Sequence, residues 1–143
     1  MKIVDAMTGW PEAMICRDRS SESVLKIFRS IFAIFGVPIS VVTNNAREFI
    51  SEEVIKWLHK VVAKTIQSPQ YHLQSNGLAE RMVQTIKRAI KIWSVEKGNF
   101  HGFLQKILLT YQCTGIVGTR DGTPAKIMFG RERRHPLIAF FKF

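Results

Sequence analysis

The sequence has few cysteines and no long apolar run. Its 143 residues include two cysteines, Cys16 and Cys113, and neither belongs to a C-x-x-C pair. Isolated thiols of this kind form neither a zinc site nor a disulfide framework, so we expect two small buried side chains in a reducing compartment. No apolar run reaches the roughly 18 residues of a membrane span, and the first residues show no secretory signal pattern. We therefore expect a nuclear or cytoplasmic protein.

Acidic residues are also scarce, since 11 Asp and Glu stand against 21 Lys and Arg. Residues 1–71 carry 9 basic and 7 acidic side chains, whereas residues 72–143 carry 12 and 4. A basic half of this kind favours a polyanionic partner such as DNA. A basic domain that is merely soluble has the same bulk charge, so charge alone leaves both interpretations open.

Hydrophobic periodicity predicts one α/β domain, long enough to bury its own core. Two short runs around a turn at residues 7–11 predict a β-hairpin. The later predicted elements are a helix capped by Ser20, a buried strand at Ile39–Thr43, a helix capped by Ser51, a strand at Ala63–Gln67, a helix closing near Gly98, and a helix from Phe100 to Tyr111.

Residues 68–91 combine a loop-like start with a strongly amphipathic helix. Their sequence is SPQYHLQSNGLAERMVQTIKRAIK, and its Pro, Asn and Gly predict a loop that lasts until Gly77. At 100° per residue, one helix face is apolar and a narrow opposite stripe consists of Glu80, Gln84, Lys87 and Lys91. This stripe suits a metal ion and a phosphate backbone, but a solvated helix face has the same pattern. Spacing alone favours the solvated face.

The same stretch carries a family resemblance. The segment YHLQSNGLAERMVQTIK resembles the loop-and-helix signature of retroviral and retrotransposon integrase catalytic cores, especially those of Gypsy-type elements. VDAMTGWPEA resembles the hairpin of that core, and TPAKIMFGR resembles a segment that trails Gypsy-type cores. The resemblance runs from about Ile3 to Arg131. It implies a ribonuclease-H-like α/β fold, with the core at residues 1–114 and a basic C-terminal extension at residues 115–143.

The resemblance also implies site residues. An Asp, Asp, Glu triad binds the metal ions in the family, and Glu80 occupies the position of its glutamate. The second aspartate lies in a T-D-N-G turn, whereas here Asn44 occupies that position with the family's 35 intervening residues before Glu80. The first aspartate lies on a central strand before the hairpin, and we expect this chain to lack that strand. Asp5 is therefore interpreted as a turn-capping carboxylate.

These departures weaken the expected metal chemistry. In the family, Mg²⁺ ions drive phosphodiester strand transfer, and carboxylates are the protein ligands that hold Mg²⁺ at such sites. Losing two of three carboxylates should cost at least roughly a thousandfold in rate, since each ~1.4 kcal/mol is a factor of ten. We expect no bound cofactor, Glu80 as a weak metal ligand at most, and no useful catalysis.

Three functional hypotheses remain. The first is a catalytically inactive retroelement domain that binds DNA without sequence preference, and its expected DNA-contacting residues are Asn76, Gln84, Lys87 and Lys91. Arg131, Arg133 and Arg134 would extend this basic track if the C-terminal segment folds back. A homo-oligomer or co-assembly with an intact integrase is an open expectation, and no membrane partner is expected. The second is an active metal-dependent strand transferase or nuclease in which Asp5 or Glu48 joins Glu80. The third is a decayed remnant without a function.

Overall fold

Strands and helices follow one another in the order that the sequence predicts. The computed structural model describes residues 1–62, 64–67, 73–96, 99–115 and 122–134, with the backbone alone for residues 73–76, 78–80, 95 and 96. The elements are β1 Lys2–Val4, β2 Pro11–Ala13, α1 Ser21–Phe35, β3 Ser40–Thr43, α2 Glu52–Val61, β4 Lys64–Gln67, α3 Leu73–Glu96, α4 Phe100–Cys113 and α5 Pro124–Phe129. The short helix α5 is an addition to the predicted order.

The chain divides into two compact units. The first consists of Met1 and Met14–Asn76, and the second of Lys2–Ala13 and Gly77–Phe143. Helices α1 and α2 and strands β3 and β4 lie in the first unit, whereas the β1–β2 hairpin, most of α3, and helices α4 and α5 lie in the second. The division does not follow chain order, because the hairpin packs with helices that come much later in the sequence.

The first unit is built around the apolar faces of α1 and α2. The Oγ atom of Ser20 accepts a hydrogen bond from the backbone N–H of Ser23 at 3.2 Å, which caps α1 as predicted. Ser51 caps α2 in the same way. Phe28 of α1 is buried and its ring is parallel to that of Trp57 in α2, with 6.3 Å between the centroids and 4° between the planes. The predicted caps of both helices are confirmed.

Strands β3 and β4 pair in parallel, from Ser40 opposite Lys64 to Thr43 opposite Gln67. The prediction of a buried strand at Ile39–Thr43 was partly wrong, because Ile39 precedes the strand and is 83% exposed. Burial alternates along β3 and only Thr43 is fully buried. This alternation shows that one face of β3 is covered and the other is open.

The second unit has its core between the hairpin and two helices. Strands β1 and β2 are antiparallel, with Lys2 opposite Ala13 and Val4 opposite Pro11. The turn between them is closed by Asp5, whose Oδ2 atom accepts hydrogen bonds from the N–H of Thr8 at 2.9 Å and from its hydroxyl at 2.6 Å. The turn-capping interpretation of Asp5 is therefore confirmed. The apolar core of this unit consists of Met82, Ile86, Leu104 and Leu108, with Val4, Ala13 and Tyr111 packed against it.

Helix α3 begins at Leu73, so the prediction of a loop that lasts until Gly77 was wrong. Asn and Gly are weak helix formers, but the cost of about 1 kcal/mol for a glycine is small beside a long cooperative helix that packs against a core. The Nε–H of Arg81 also donates to the Gly77 carbonyl at 3.2 Å. The predicted loop residues Pro69, Tyr71 and His72 lie outside the described residues.

The two cysteines are free, and both are half-buried rather than fully buried as expected. Cys113 lies near the end of α4, where its thiol donates a weak hydrogen bond to the Arg133 carbonyl at 3.7 Å. Burial raises the pKa of the Cys113 thiol above its ordinary value, while the nearby Arg133 guanidinium acts in the opposite direction. Among the helices that the structure describes, none combines the length and the apolar content of a membrane span.

Candidate nucleic-acid interface

Asn44 directly follows strand β3 in the first unit and is exposed. Its Oδ1 atom accepts a hydrogen bond from the backbone N–H of Ala46 at 3.4 Å. Asparagine commonly closes a turn in this manner, by bonding its own backbone two residues on. A neutral amide thus stands at the position that the resemblance assigns to the second triad aspartate. The oxygen of this amide accepts a hydrogen bond within the turn.

Helix α3 presents the predicted pair of opposite faces. Met82, Ile86 and Ala89 are buried on one side. The polar side chains of Gln84, Lys87 and Lys91 are exposed. Because residues four apart lie on one helix face, Lys87 and Lys91 form a short positive stripe. Asn76 and Glu80 belong to the first turns of the helix, and their side chains lie outside the described part of the structure.

Three basic residues near this stripe were missed by the sequence analysis. Arg81 and Arg88 are exposed on α3, and Arg81 lies near Tyr111, since its charge acts to lower the pKa of the phenol that burial raises. Both arginines could have been found from the sequence, because they flank the predicted stripe. The third basic residue is Lys2 of the hairpin, which lies within electrostatic reach of Lys87. The sequence analysis missed it because Lys2 and Lys87 are far apart in the chain, and local patterns do not relate such residues.

The described carboxylates do not fit a site for paired Mg²⁺ ions. The Oδ2 atom of Asp5 accepts hydrogen bonds from the N–H and the hydroxyl of Thr8 within the hairpin turn. Glu48 is half-buried in the turn before α2. Within the ranges that the structure describes, no three His, Cys, Asp or Glu side chains are close enough together to hold a metal ion. Magnesium is bound by several hard oxygen ligands that bear negative charge, and Asn44 supplies none.

Arg133 does not extend the basic track proposed for the C-terminal segment. Its guanidinium lies 5.5 Å from the centre of the Trp10 ring and donates a hydrogen bond to Oε1 of Gln112. Gln112 in turn donates to the Pro11 carbonyl at 3.2 Å. This arginine therefore links α4 and the hairpin in the second unit, whereas Arg131 and Arg134 are exposed.

Comparisons with known proteins relate the chain to retroelement polyproteins. An uncharacterized protein of Caenorhabditis elegans is 32% identical over 134 residues, which cover 92% of this chain and 10% of that protein. The Gag-Pol polyprotein of Avian reticuloendotheliosis virus is 28% identical over 130 residues, which cover 90% of this chain and 11% of the polyprotein. The chain thus spans about a tenth of the length of these relatives. No protein-family model matches it.

The structural comparison gives the fold. The HTLV-2 integrase catalytic core domain, solved in complex with magnesium, aligns with a TM-score of 0.65 at 20% identity, covering 87% of this chain and 80% of that one. The predicted ribonuclease-H-like α/β fold is therefore confirmed. With homologues among retroviral Gag-Pol proteins and an integrase core as structural neighbour, this chain is an integrase-core-like domain of retroelement origin.

Proposed function

We propose that this domain binds duplex DNA through its phosphate backbone, without sequence preference and without catalysing strand transfer. The observation that carries the proposal is the exposed stripe of Gln84, Lys87 and Lys91 on α3. Neither lysine makes an ion pair with any side chain that the structure describes. Two exposed ammonium groups one helical turn apart can each contact a phosphate of a nucleic-acid backbone.

The lack of catalysis is supported by the chemistry at position 44. A carboxamide has no negative charge to offset that of a divalent cation, and its oxygen already accepts the Ala46 N–H. The alternative of an active metal-dependent strand transferase or nuclease needs Asp5 or Glu48 to join Glu80 as a metal ligand. Asp5 is engaged by Thr8, so the described contacts favour the inactive domain over this alternative.

Other parts of the proposal rest on the resemblance. A domain at residues 1–114 with a basic extension at residues 115–143, contacts from Asn76 to DNA, and a weak metal ligand at Glu80 all stay predictions. So do a homo-oligomer or co-assembly with an intact integrase, and a location in the nucleus or cytoplasm. Binding to chromosomal DNA would require the nucleus.

Salt dependence of binding tests the DNA interface. We expect the Kd of the full chain for a labelled duplex, measured by fluorescence anisotropy, to rise with salt so that log K falls with a slope of roughly −2 to −4. The double variant Lys87→Ala and Lys91→Ala should reduce the steepness of that slope by up to ~2. Lys56→Ala with Lys60→Ala is a matched control, because these two exposed lysines have the same spacing on α2.

Two outcomes would contradict the proposed interface. Binding that does not depend on salt would exclude a phosphate-directed contact. Equal slopes for the α3 double variant and for the wild type would mean that the stripe is only a solvated helix face, and the decayed remnant would then be the better explanation of the chain.

Absence of catalysis is tested separately with Mg²⁺ or Mn²⁺ and a labelled donor duplex. We expect neither 3′-end processing nor strand transfer by the full chain. Metal-dependent nicking that is present in the wild type and absent in Glu80→Gln would overturn the proposed inactivity. Glu80→Gln should bind DNA no more weakly than the wild type, since the substitution removes a negative charge from a face that meets phosphate.

A further inference from the structure

Lys2 is exposed at the first position of β1, on the hairpin face that packs against the core of the second unit. Alternate residues of a strand lie on the same face, so Lys2 shares its face with Val4. Val4 packs against the core cluster of the second unit, as does Ala13, the residue directly opposite Lys2 in the antiparallel pair. Lys2 therefore lies at the end of the hairpin face that packs on the core containing Met82 and Ile86 of α3.

At this position the Lys2 ammonium is close enough to Lys87, the residue that follows Ile86 in α3, for the two positive charges to repel each other. The pKa of the Lys2 ammonium is lowered, first by its partial burial and second by the positive charge of Lys87. Lys2 and Lys87 are both exposed residues. Two like charges from different elements of the second unit thus lie near each other, and their repulsion disfavours the charged form of Lys2.

No described carboxylate of the second unit neutralises this pair. Glu12 lies opposite Ile3, on the other face of the hairpin from Lys2, and it accepts the indole N–H of Trp10 at 2.9 Å. Asp5 accepts a hydrogen bond from the hydroxyl of Thr8, and Glu132 accepts one from the hydroxyl of Thr123. Neither Lys2 nor Lys87 makes an ion pair with any side chain in the described ranges. Among the side chains that the structure describes, none offsets this repulsion, and an anion that binds from outside the chain would do so.

We propose that Lys2 and Lys87 together bind one phosphodiester group of a nucleic-acid backbone, so that the β-hairpin belongs to the interface as well as α3. This inference rests on the proposed function and extends it to a second element. A phosphodiester has two non-bridging oxygens, and each can accept a hydrogen bond from one ammonium group. Bound phosphate would replace the repulsion between the lysines with two charge-assisted hydrogen bonds.

A double-mutant cycle on the full chain tests the shared contact. We expect Lys2→Ala to weaken duplex binding by about threefold or more in the wild type, and by less than about twofold in the Lys87→Ala background, because the two lysines act on one phosphate. Lys2→Arg should bind like the wild type, since it keeps the charge. Lys26→Ala, at an exposed lysine of α1 in the first unit, is the matched control and should not change the affinity.

A second measurement needs no variant in the hairpin. The pKa of the Lys2 ammonium, followed by NMR of its side chain, should rise when the chain is saturated with duplex DNA, because a bound phosphate favours the charged form. It should also rise in Lys87→Ala without DNA. An unchanged or lowered pKa on saturation with DNA would overturn the proposal, even if Lys2→Ala proved to be poorly folded.

The outcomes separate this inference from the proposed function. If Lys87→Ala with Lys91→Ala weakens binding while Lys2→Ala has no effect, the hairpin contact is wrong and the α3 interface stands. If Lys2→Ala weakens binding equally in both backgrounds, the two lysines do not share a phosphate. If neither α3 nor hairpin variants change the affinity, both the inference and the proposed function fail.

Discussion

The side chain at position 44 differs from an aspartate by one atom and by one unit of charge. Asparagine and aspartate both close the turn that follows β3, because either side-chain oxygen accepts the N–H of Ala46. For the turn the two residues are nearly equivalent. For a divalent cation they are not, because hard cations at such sites are held by charged oxygen ligands.

Restoring this one carboxylate should not restore strand transfer. We expect Asn44→Asp to keep the fold and to give no product with Mg²⁺ or Mn²⁺, because no three described acidic, histidine or cysteine side chains lie close enough together to hold a metal ion, and one added carboxylate does not complete a site for a pair of metal ions. Strand-transfer assays with labelled DNA provide the measurement, and Asn45→Asp is the control at the neighbouring exposed residue. Product from Asn44→Asp, with none from Asn45→Asp, would show that Asp5 or another acid completes the site.

Asp18 provides a second prediction for a single residue. Its Oδ1 atom accepts hydrogen bonds from the N–H of Ser20 at 2.9 Å and from the hydroxyls of Ser20 and Ser23 at 2.6 and 2.7 Å. These bonds, from the side chains first, lower the pKa of Asp18 from 3.8 to about 2. Because the folded state has the lower pKa, the carboxylate stabilises the fold above the unfolded value, and this contribution is lost as pH falls towards 2.

We therefore expect Asp18→Asn to lower the stability of the chain at pH 5 and to have a smaller effect near pH 2. Urea unfolding of both proteins across this range gives the difference in free energy at each pH. Glu53→Gln, an exposed acid in the first turn of α2, controls for the general effect of removing a negative charge. An equal difference between wild type and Asp18→Asn at every pH would contradict the hydrogen-bonded carboxylate.

At the scale of elements, the hairpin, α4 and α5 are joined by a small set of contacts around Trp10. The indole is buried and meets the Phe129 ring of α5 edge-on, with centroids 4.9 Å apart and planes at 85°. The Arg133 guanidinium lies over the same indole and also donates to Gln112 of α4. A single arginine thus contacts the hairpin and α4, while its backbone follows α5 closely in the chain.

Arg133→Ala should lower the free energy of unfolding by about 2 kcal/mol. The substitution removes the cation–π contact and leaves the buried Oε1 of Gln112 without the donor that it has now, a loss worth about 1–3 kcal/mol. Urea denaturation is the measurement, and Arg131→Ala is the control, because this neighbouring arginine is exposed and should change stability by less than about 0.5 kcal/mol. Equal effects of the two substitutions would mean that Arg133 does not join these elements.

At the scale of the whole molecule, the formal net charge is +10. A charge of this size attracts any polyanion over several ångströms and speeds its association. It carries no information about base sequence, because contacts with phosphates position a protein on DNA and do not specify a sequence. The proposed interface uses lysines and one amide on an exposed helix, so its selectivity should follow charge density rather than base composition.

We expect duplexes of unrelated sequence and equal length to bind with the same Kd within about twofold at a given salt concentration. Heparin should displace them all to the same extent. Competition measured by fluorescence anisotropy provides the test, with an AT-rich and a GC-rich duplex as the matched pair. A difference of tenfold or more between them would show readout of base edges or of DNA shape, and would contradict an interface directed only at phosphates.

Local patterns in the sequence determined the elements and their order. The caps at Ser20 and Ser51, the turn closed by Asp5, and the two faces of α3 were all predicted and are present. Such features depend on residues within about one helical turn or one tight turn of each other, so side-chain chemistry and periodicity are enough to reveal them. The resemblance that leads to the fold likewise rests on local motifs, whose spacing between Asn44 and Glu80 can be counted directly.

The tertiary structure decided which elements share a core and which charges meet. It placed the hairpin with α3 and α4, left one face of β3 exposed, extended α3 back to Leu73, and turned Arg133 towards Trp10. Gln112 and Pro11, which are hydrogen-bonded in this core, lie 101 residues apart in the chain, and Lys2 and Lys87 are also far apart. No periodic pattern relates residues at such separations, because their proximity depends on how the apolar faces of several elements pack at once.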